Sequence, residues 1–212
     1  MKIALLGGSP KPNGGSSAII LEALRASFAG AAEISAASLL RDGPQASLPP
    51  LYGAAAWVLA APLYVDSLPS HVIRFLEETG EFFERPENAS APRPRLYAIV
   101  NCGFYEARQN ALAIAALKLF AERSAFPWGR ALGIGAGALW ERFSPGSWFT
   151  RGAAGALAEL ARDALALAGG EDLFVTANMP RLLYYWGANR SWRALAREKG
   201  LKPDALRRAP YS

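Results

Sequence analysis

The stretch LLGGSPKPNGGSS, residues 5–17, decides how the first part of this 212-residue chain is interpreted. It follows a short apolar run, residues 2–6 (KIALL), which predicts a buried strand. It leads into residues 16–30 (SSAIILEALRASFAG), whose apolar positions recur at helical spacing and which end in glycine. Connections between a strand and a helix usually have roughly 2–6 residues. This longer connection, rich in glycine, proline and serine, therefore indicates a binding loop, and a long turn without a ligand is the alternative.

Segments typical of strands and of helices alternate along most of the chain. Further strands are predicted at residues 33–40, 55–64, 95–103 and 129–139, and further helices at residues 67–80, 106–126 and 152–170. Most of these strands are continuous apolar runs, which is the pattern of strands buried on both faces. The alternation predicts an α/β fold in which helices cover both faces of a parallel sheet.

Composition excludes several classes of protein. The single cysteine, Cys102, and the single histidine, His71, cannot form an intramolecular disulfide, a structural zinc site or a cysteine-ligated iron–sulfur cluster. The net charge of +5 suits an anionic cofactor but is too small to predict a nucleic-acid partner. Four prolines interrupt the uncharged part of residues 43–65, so we expect no membrane span. The start of the chain lacks a secretory signal pattern, and we expect a cytoplasmic protein.

The first loop (residues 7–17) has the chemistry of a phosphate site. It feeds the N-terminus of a helix, where unpaired N–H groups and a partial positive charge favour anions. A P-loop would need lysine directly before Ser16, where the chain has Gly15. The glycine spacing also does not fit the dinucleotide fingerprint. A serine-rich loop with little charge favours a monophosphate.

Two further loops should meet the first one, because ligands of such sheets bind beyond the carboxyl ends of the strands. The second loop (residues 61–70, APLYVDSLPS) and the third loop (residues 101–110, NCGFYEARQN) each place aromatic side chains and backbone amides just after a strand. The aromatic residues Tyr64, Phe104 and Tyr105 are candidate walls for a flat isoalloxazine ring. Ordinary packing is the alternative for each of them.

Residues 8–17, 61–77 and 101–114, taken in this order, resemble the flavodoxin-like NAD(P)H-dependent FMN oxidoreductases. That superfamily includes the NADPH-dependent FMN reductases and the iron–sulfur flavoproteins. The resemblance covers roughly residues 1–170, and it implies a doubly wound five-stranded parallel sheet in order 2-1-3-4-5, with non-covalently bound FMN and usually a homodimer. The cysteine cluster of the iron–sulfur members is absent here, so flavin alone is expected. Residues 171–212 would form a C-terminal helical extension on the same domain or on a partner subunit.

The resemblance also assigns cofactor-binding residues. The phosphate contacts would come from Ser9, Lys11, Asn13, Ser16 and Ser17. The second loop would contribute Pro62, Leu63, Tyr64 and Val65, with Asp66 as a further candidate. The third loop would contribute Asn101, Cys102, Gly103, Phe104, Tyr105 and Glu106. No catalytic side chain and no metal ligand is predicted, because a flavin carries the redox chemistry itself.

The predicted function is an NAD(P)H oxidoreductase that passes electrons through FMN to a small acceptor such as a quinone, a flavin or a nitro compound. The first alternative is an FMN electron-transfer protein that serves partner proteins, which the basic charge disfavours because the long-chain flavodoxins are acidic. The second alternative is an interaction module with the same fold and no flavin. The intact first loop argues against that interpretation.

Several remaining features have a simpler interpretation. We expect His71 to be a surface residue of a helix, Cys102 to be a small buried hydrophobe, and Glu106 to cap a helix or face solvent. Ser67 is the expected N-cap of the helix at residues 67–80. The glycines within residues 133–137 alternate, which favours close packing at a strand end over a nucleotide motif.

The tail, residues 178–212, combines aromatic and basic side chains. We expect a helix that packs its aromatic residues on the domain or on a partner subunit. The alternatives are a lid that recruits the phosphates of NAD(P)H, or a contact with anionic membrane or nucleic acid.

Overall fold

The computed structural model describes residues 1–11, 15–43, 51 and 53–207. The described strands are β1 (Lys2–Gly7), β2 (Glu33–Ser38), β3 (Ala56–Pro62), β4 (Arg95–Asn101), β5 (Trp128–Ile134) and β6 (Leu173–Val175). The described helices are α1 (Ser16–Ser27), α2 (Ser70–Glu84), α3 (Ala111–Arg123), α4 (Arg151–Ala166) and α5 (Arg181–Glu198). Short 3₁₀ turns lie at Ala107–Asn110, Gly137–Glu141 and Pro203–Arg207.

All strands form one parallel sheet in the order β2-β1-β3-β4-β5-β6. The α/β fold with a parallel sheet is confirmed, and the first five strands have the predicted order. The predicted number of strands is wrong, because the described residues form a sheet of six strands rather than five. The additional strand β6 pairs with β5 from Leu132–Leu173 to Ile134–Val175. It has three half-buried residues at the sheet edge, which is too short a segment to give an apolar pattern.

The buried apolar residues form one cluster on each face of the sheet. Alternate residues of β1 belong to different clusters, as the period of two of a strand requires. Helices α2 and α3 cover one face, where Trp57 packs against Phe75 and Phe126 with ring centroids 5.9 and 5.4 Å apart. Helices α1 and α4 cover the other face through residues such as Leu24 and Leu160. Each such side chain contributes about 1.5–3 kcal/mol on full burial.

The chain divides into two compact units, Met1–Asn178 and Met179–Ser212. Strand β6 therefore belongs to the first unit and helix α5 to the second. Several apolar side chains of α5 are exposed, including Leu182 and Trp186. Across the described residues, no helix is both long enough and apolar enough to cross a bilayer.

Tyr97 of β4 is fully buried, and its hydroxyl is within hydrogen-bond distance of the carbonyl oxygens of Asp163 (2.9 Å) and Ala168 (2.6 Å) at the end of α4. We expect Tyr97→Phe to lower the free energy of unfolding by about 1–2 kcal/mol at neutral pH, because these carbonyls lose their donor. The measurement is urea unfolding.

The same substitution should change the response to alkaline pH. Burial raises the pKa of Tyr97 to about 12, so the phenol ionises more readily in the unfolded chain. Its contribution to stability is complete below a pH of about 10 and is lost as the pH rises towards 12. The Tyr97→Phe protein should therefore not show this part of the loss of stability at alkaline pH. An identical alkaline profile in both proteins would contradict the assignment.

Candidate functional site

The three loops predicted to form the site come together at the carboxyl ends of adjacent parallel strands. At the first loop, the Gly8 amide donates to the Ala60 carbonyl of β3, 2.8 Å away. At the second loop, the Leu63 amide donates to the Asn101 carbonyl at 2.8 Å. These bonds hold the start of the first loop, the second loop and the end of β4 next to one another at one edge of the sheet.

The donors of the first loop converge on a single carboxylate oxygen. Oε1 of Glu141 accepts from the Lys11 ammonium at 3.0 Å, from the Ser16 amide at 3.1 Å and from the Ser16 hydroxyl at 3.0 Å. The hydrogen bond from Lys11 lowers the pKa of Glu141, and the Ser16 bonds act in the same direction against partial burial. An ammonium, a hydroxyl and an amide at a helix N-terminus are thus arranged around one anionic oxygen.

Sequence reasoning did not find Glu141. It ends the 3₁₀ turn that follows β5, 125 residues after Ser16, and no motif connects the two. Only the sheet order brings them together, because the turn packs against the start of α1. An acidic residue beyond a strand end is too common to serve as a signal by itself.

The other predicted phosphate residues have different environments. The Ser9 hydroxyl accepts from the Lys11 amide at 3.3 Å, which shapes the start of the loop. Gly15 has a φ of 142°, and a Cβ there would lie 2.9 Å from Cδ of Lys11, so glycine leaves room for the lysine stem. Ser17, the last residue of the loop, is buried. Asn13 lies outside the described residues.

The buried side chain of Asn101 connects the first loop to the second loop. Its buried side-chain amide donates to Oγ of Ser17 at 2.6 Å and to the Ala61 carbonyl at 3.3 Å. A Cβ at Gly137 would lie 2.9 Å from Oδ1 of Asn101, so the turn that carries Glu141 also packs closely on this side chain. Asn101 therefore acts on the site by fixing the relative positions of its loops.

The second loop is a tight turn. Tyr64 and Ser67 exchange backbone hydrogen bonds of 2.8 and 3.0 Å, and the central residues Val65 and Asp66 have φ values of 49° and 59°. The expectation that Ser67 caps α2 is wrong, because the helix begins at Ser70 and Ser67 closes the turn instead. Tyr64 is 46% exposed and Val65 is 98% exposed, so the turn presents an aromatic side chain and an apolar tip to solvent.

Val65 holds a strained backbone conformation, because β-branched residues rarely adopt a positive φ. We expect Val65→Asn to raise the free energy of unfolding by about 1 kcal/mol, since asparagine tolerates this conformation and no buried contact is lost. Chemical denaturation measures the change. Asp66→Asn is the matched control and should have a smaller effect, because aspartate already tolerates a positive φ. Destabilisation by Val65→Asn would contradict the interpretation.

The third loop is held against the turn after β5. The Gly137 amide donates to the Cys102 carbonyl at 2.7 Å, and the Ala136 amide donates to the Phe104 carbonyl. Cys102 is buried, and burial raises the pKa of its thiol, which confirms the expected small buried hydrophobe. The ring of Phe104 is 57% exposed at the surface of the loop.

The end of the third loop differs from the predicted helix start. Glu106 makes no side-chain capping bond, and a 3₁₀ turn at Ala107–Asn110 precedes α3. The remaining predicted residues of this loop lie on either side of Phe104: Gly103 is exposed and Tyr105 is half-buried. A Cβ at Gly135, just after β5, would strike the Tyr105 carbonyl, and a Cβ at Gly133 would lie 2.7 Å from the Phe174 ring, so the predicted close packing of glycines at this strand end is confirmed.

His71 lies next to Gly8 at the start of the first loop, and it is partly buried, whereas a surface position was predicted. The side chain is partly buried and hydrogen-bonds the backbone of Gly8, and its buried Nε2 has no hydrogen-bond partner among the described residues. Burial lowers the pKa of His71, against the opposing effect of the bond to Gly8. The imidazole therefore stays neutral at neutral pH. Among the described residues, no group of three or more potential ligands could hold a metal ion.

Comparison with known proteins identifies the fold but no sequence family. No family model matches the chain, and no curated protein matches it significantly. The solved structures that share its fold include a flavone reductase, at a TM-score of 0.60 and 13% identity over 78% of this chain. The chain spans 62% of the length of that reductase.

Two further structures match over most of their own length. The flavoenzyme NAD(P)H:(acceptor) oxidoreductase FerB from Paracoccus denitrificans gives a TM-score of 0.58 and 14% identity over 78% of this chain and 95% of its own. The FMN-dependent NADH-azoreductase from Bacillus anthracis str. Ames Ancestor, solved in complex with FMN, gives 0.56 and 13% over 79% and 99%. At such identities the similarity establishes a shared fold.

Proposed function

We propose that the protein is an FMN-dependent NAD(P)H oxidoreductase that passes electrons to a small acceptor such as a quinone, a flavin or a nitro compound. The observation that carries the proposal is the convergence of Lys11 and Ser16 on one anionic oxygen, at the position predicted for a phosphate. The shared fold with FMN-dependent and NAD(P)H-dependent reductases supports it.

The donor set fits the phosphate of FMN. Phosphate favours a helix N-terminus that also offers hydroxyl and ammonium donors, and the start of α1 offers all of these through Ser16 and Lys11. Ser9 lies beside Lys11 and is a further candidate. The carboxylate of Glu141 takes the position proposed for this phosphate. A contact between Asn13 and the phosphate remains a prediction from the sequence.

The ring of FMN would be held by the second and third loops. Tyr64 and Phe104 are about half-exposed aromatic side chains on these loops, so both have apolar surface available for a flat ring. The other residues predicted there are Pro62, Leu63, Val65, Asn101, Cys102, Gly103, Tyr105 and Glu106. Among them, Leu63, Asn101 and Cys102 are buried, so we assign these three to positioning the loops and not to contacting the ring.

The chemistry of the proposed reaction needs little from side chains. Bound FMN supplies the acceptance of a hydride from the nicotinamide and the release of electrons one or two at a time. The raised pKa of Cys102 keeps its thiol protonated, and the lowered pKa of His71 keeps its imidazole neutral. These two groups therefore add no charge next to the site at neutral pH. The role of the side chains in the proposed reaction is to bind FMN and to orient its ring.

The test is anaerobic reduction of the FMN-loaded protein. We expect NADH or NADPH to bleach the visible flavin absorbance within seconds, and a quinone to restore it. Free FMN at the same concentration is the control. A flavin that resists both nucleotides but is reduced by dithionite would contradict the proposal and favour an electron-transfer protein that serves partner proteins.

Four further statements about the protein remain predictions from the sequence. These are a homodimer, a cytoplasmic location, the absence of nucleic-acid and membrane partners, and a division into residues 1–170 and 171–212.

A further inference from the structure

The anion site at the start of α1 is filled by the chain itself. Three donors from Lys11 and Ser16 all use Oε1 of Glu141, at 3.0–3.1 Å. A single oxygen that accepts three such bonds, one of them from an ammonium, makes the contacts that a phosphate oxygen would make. The donors are therefore arranged around one anionic oxygen, and the carboxylate of Glu141 takes the position that a phosphate oxygen would need.

The Glu141 carboxylate can move away from Lys11 and Ser16 without unfolding the 3₁₀ turn that carries it. The preceding residue, Trp140, is buried and fixes the turn, whereas the side chain of Glu141 is 39% exposed. Its ionic partner Lys11 is 59% exposed, and ion pairs this accessible to solvent contribute little to stability. Rotation of one side chain into solvent would therefore free all three donors.

The carboxylate and a phosphate cannot share the donors. Two anions within hydrogen-bond distance of the same groups would repel each other strongly at the few ångströms that separate them. A phosphate monoester carries more charge than a carboxylate and offers three acceptor oxygens, so it can outcompete the carboxylate for the helix N-terminus. A flavin without phosphate has nothing with which to displace Glu141.

We propose that Glu141 is an internal competitor of the cofactor phosphate for Lys11 and Ser16, so that phosphate binds as the Glu141 carboxylate is released and the affinity for FMN is lowered. This inference rests on the proposed function, because it takes FMN as the ligand. Glu141 then weakens the binding of flavins that carry a phosphate, because these must displace its carboxylate, and it leaves the binding of riboflavin unchanged, because riboflavin does not need these donors.

The test compares Glu141→Gln with the unchanged protein in titrations with FMN and with riboflavin. Glutamine keeps the size of the side chain and removes its charge. We expect the Kd for FMN to fall about tenfold, a change of about 1.4 kcal/mol. The Kd for riboflavin should stay within about twofold, because its binding leaves the donors untouched.

The matched control is Glu22→Gln. Glu22 lies on α1, is exposed, and forms a solvent-accessible 3.5 Å ion pair with Arg25. Its substitution changes the net charge of the protein by the same amount, on the helix whose N-terminus forms the site. We expect an unchanged Kd for FMN. Equal tightening by Glu22→Gln would overturn the proposal, because general electrostatics would then explain the effect.

Inorganic phosphate separates this inference from the proposed function. If Glu141→Gln gains a saturable rise in melting temperature with phosphate while neither protein binds FMN, the competition is supported and the FMN assignment fails. If FMN binds both proteins equally, or binds Glu141→Gln more weakly, the competition is overturned and the FMN assignment stands. If neither protein responds to FMN or to phosphate, the competition is overturned as well.

Discussion

Gly135→Ala should lower the free energy of unfolding by about 3 kcal/mol and prevent tight FMN binding. A Cβ at this position would strike the Tyr105 carbonyl and would lie 2.7 Å from the amide of Ala107. Both obstacles are backbone atoms, so no side chain can rotate away and the third loop itself must move. Since that loop carries Phe104, we expect loss of the proposed ring contacts together with the loss of stability. Urea unfolding and FMN titration measure the two effects.

Gly155→Ala is the matched control. Gly155 is exposed in the middle of α4, and a Cβ there meets no atom within 4 Å. Alanine has the higher helix propensity, so we expect the free energy of unfolding to rise by about 0.5–1 kcal/mol with unchanged FMN affinity. A Gly135→Ala protein that unfolds within about 0.5 kcal/mol of the parent would show that the third loop does not depend on this close contact.

Asn101→Ala should lower the free energy of unfolding by about 2–3 kcal/mol and weaken FMN binding at least about tenfold. The substitution leaves the buried Oγ of Ser17 without its 2.6 Å donor and removes the 3.3 Å bond to the Ala61 carbonyl. The first and second loops then lose their shared anchor. Denaturation and FMN titration are again the measurements.

A double-mutant cycle with Ser17→Ala isolates the bond between the two side chains. Ser17→Ala alone should destabilise less than Asn101→Ala, because Asn101 keeps its bond to Ala61. The two changes together should fall short of their sum by about 1 kcal/mol, the usual contribution of such a bond. Simple additivity would contradict the network.

The strand order and the meeting of the three loops could be predicted because they depend on local signals. Continuous apolar runs mark buried parallel strands, and parallel strands place the loops that follow them at one edge. The short strand β6 gives no such signal, because a three-residue edge strand depends on pairing with β5 and not on its own composition. The composition of the first loop and the family resemblance predicted Lys11 and Ser16 as phosphate contacts. The structure brings their donors together on Glu141, and the contact with phosphate stays a prediction.

The interior of the site could not be predicted, because it depends on contacts between distant segments. Glu141 reaches Ser16 across 125 residues of sequence, and only the folded sheet gives it a role. His71 is partly buried because the start of α2 packs on Gly8, where a Cβ would lie 2.7 Å from Val72. Asn101 was predicted as a flavin-loop residue, but its side chain faces inward because Ser17 and Ala61 are its hydrogen-bond acceptors.

The most direct test of the central claim is the visible absorption spectrum of the purified protein after incubation with FMN and desalting. We expect a flavin spectrum retained at about one FMN per chain, with the Lys11→Ala protein retaining much less. The Lys2→Ala protein is the control, because it removes a lysine from the opposite end of β1, and it should retain as much FMN as the parent. A colourless protein that also leaves the fluorescence of added FMN unchanged would contradict the account.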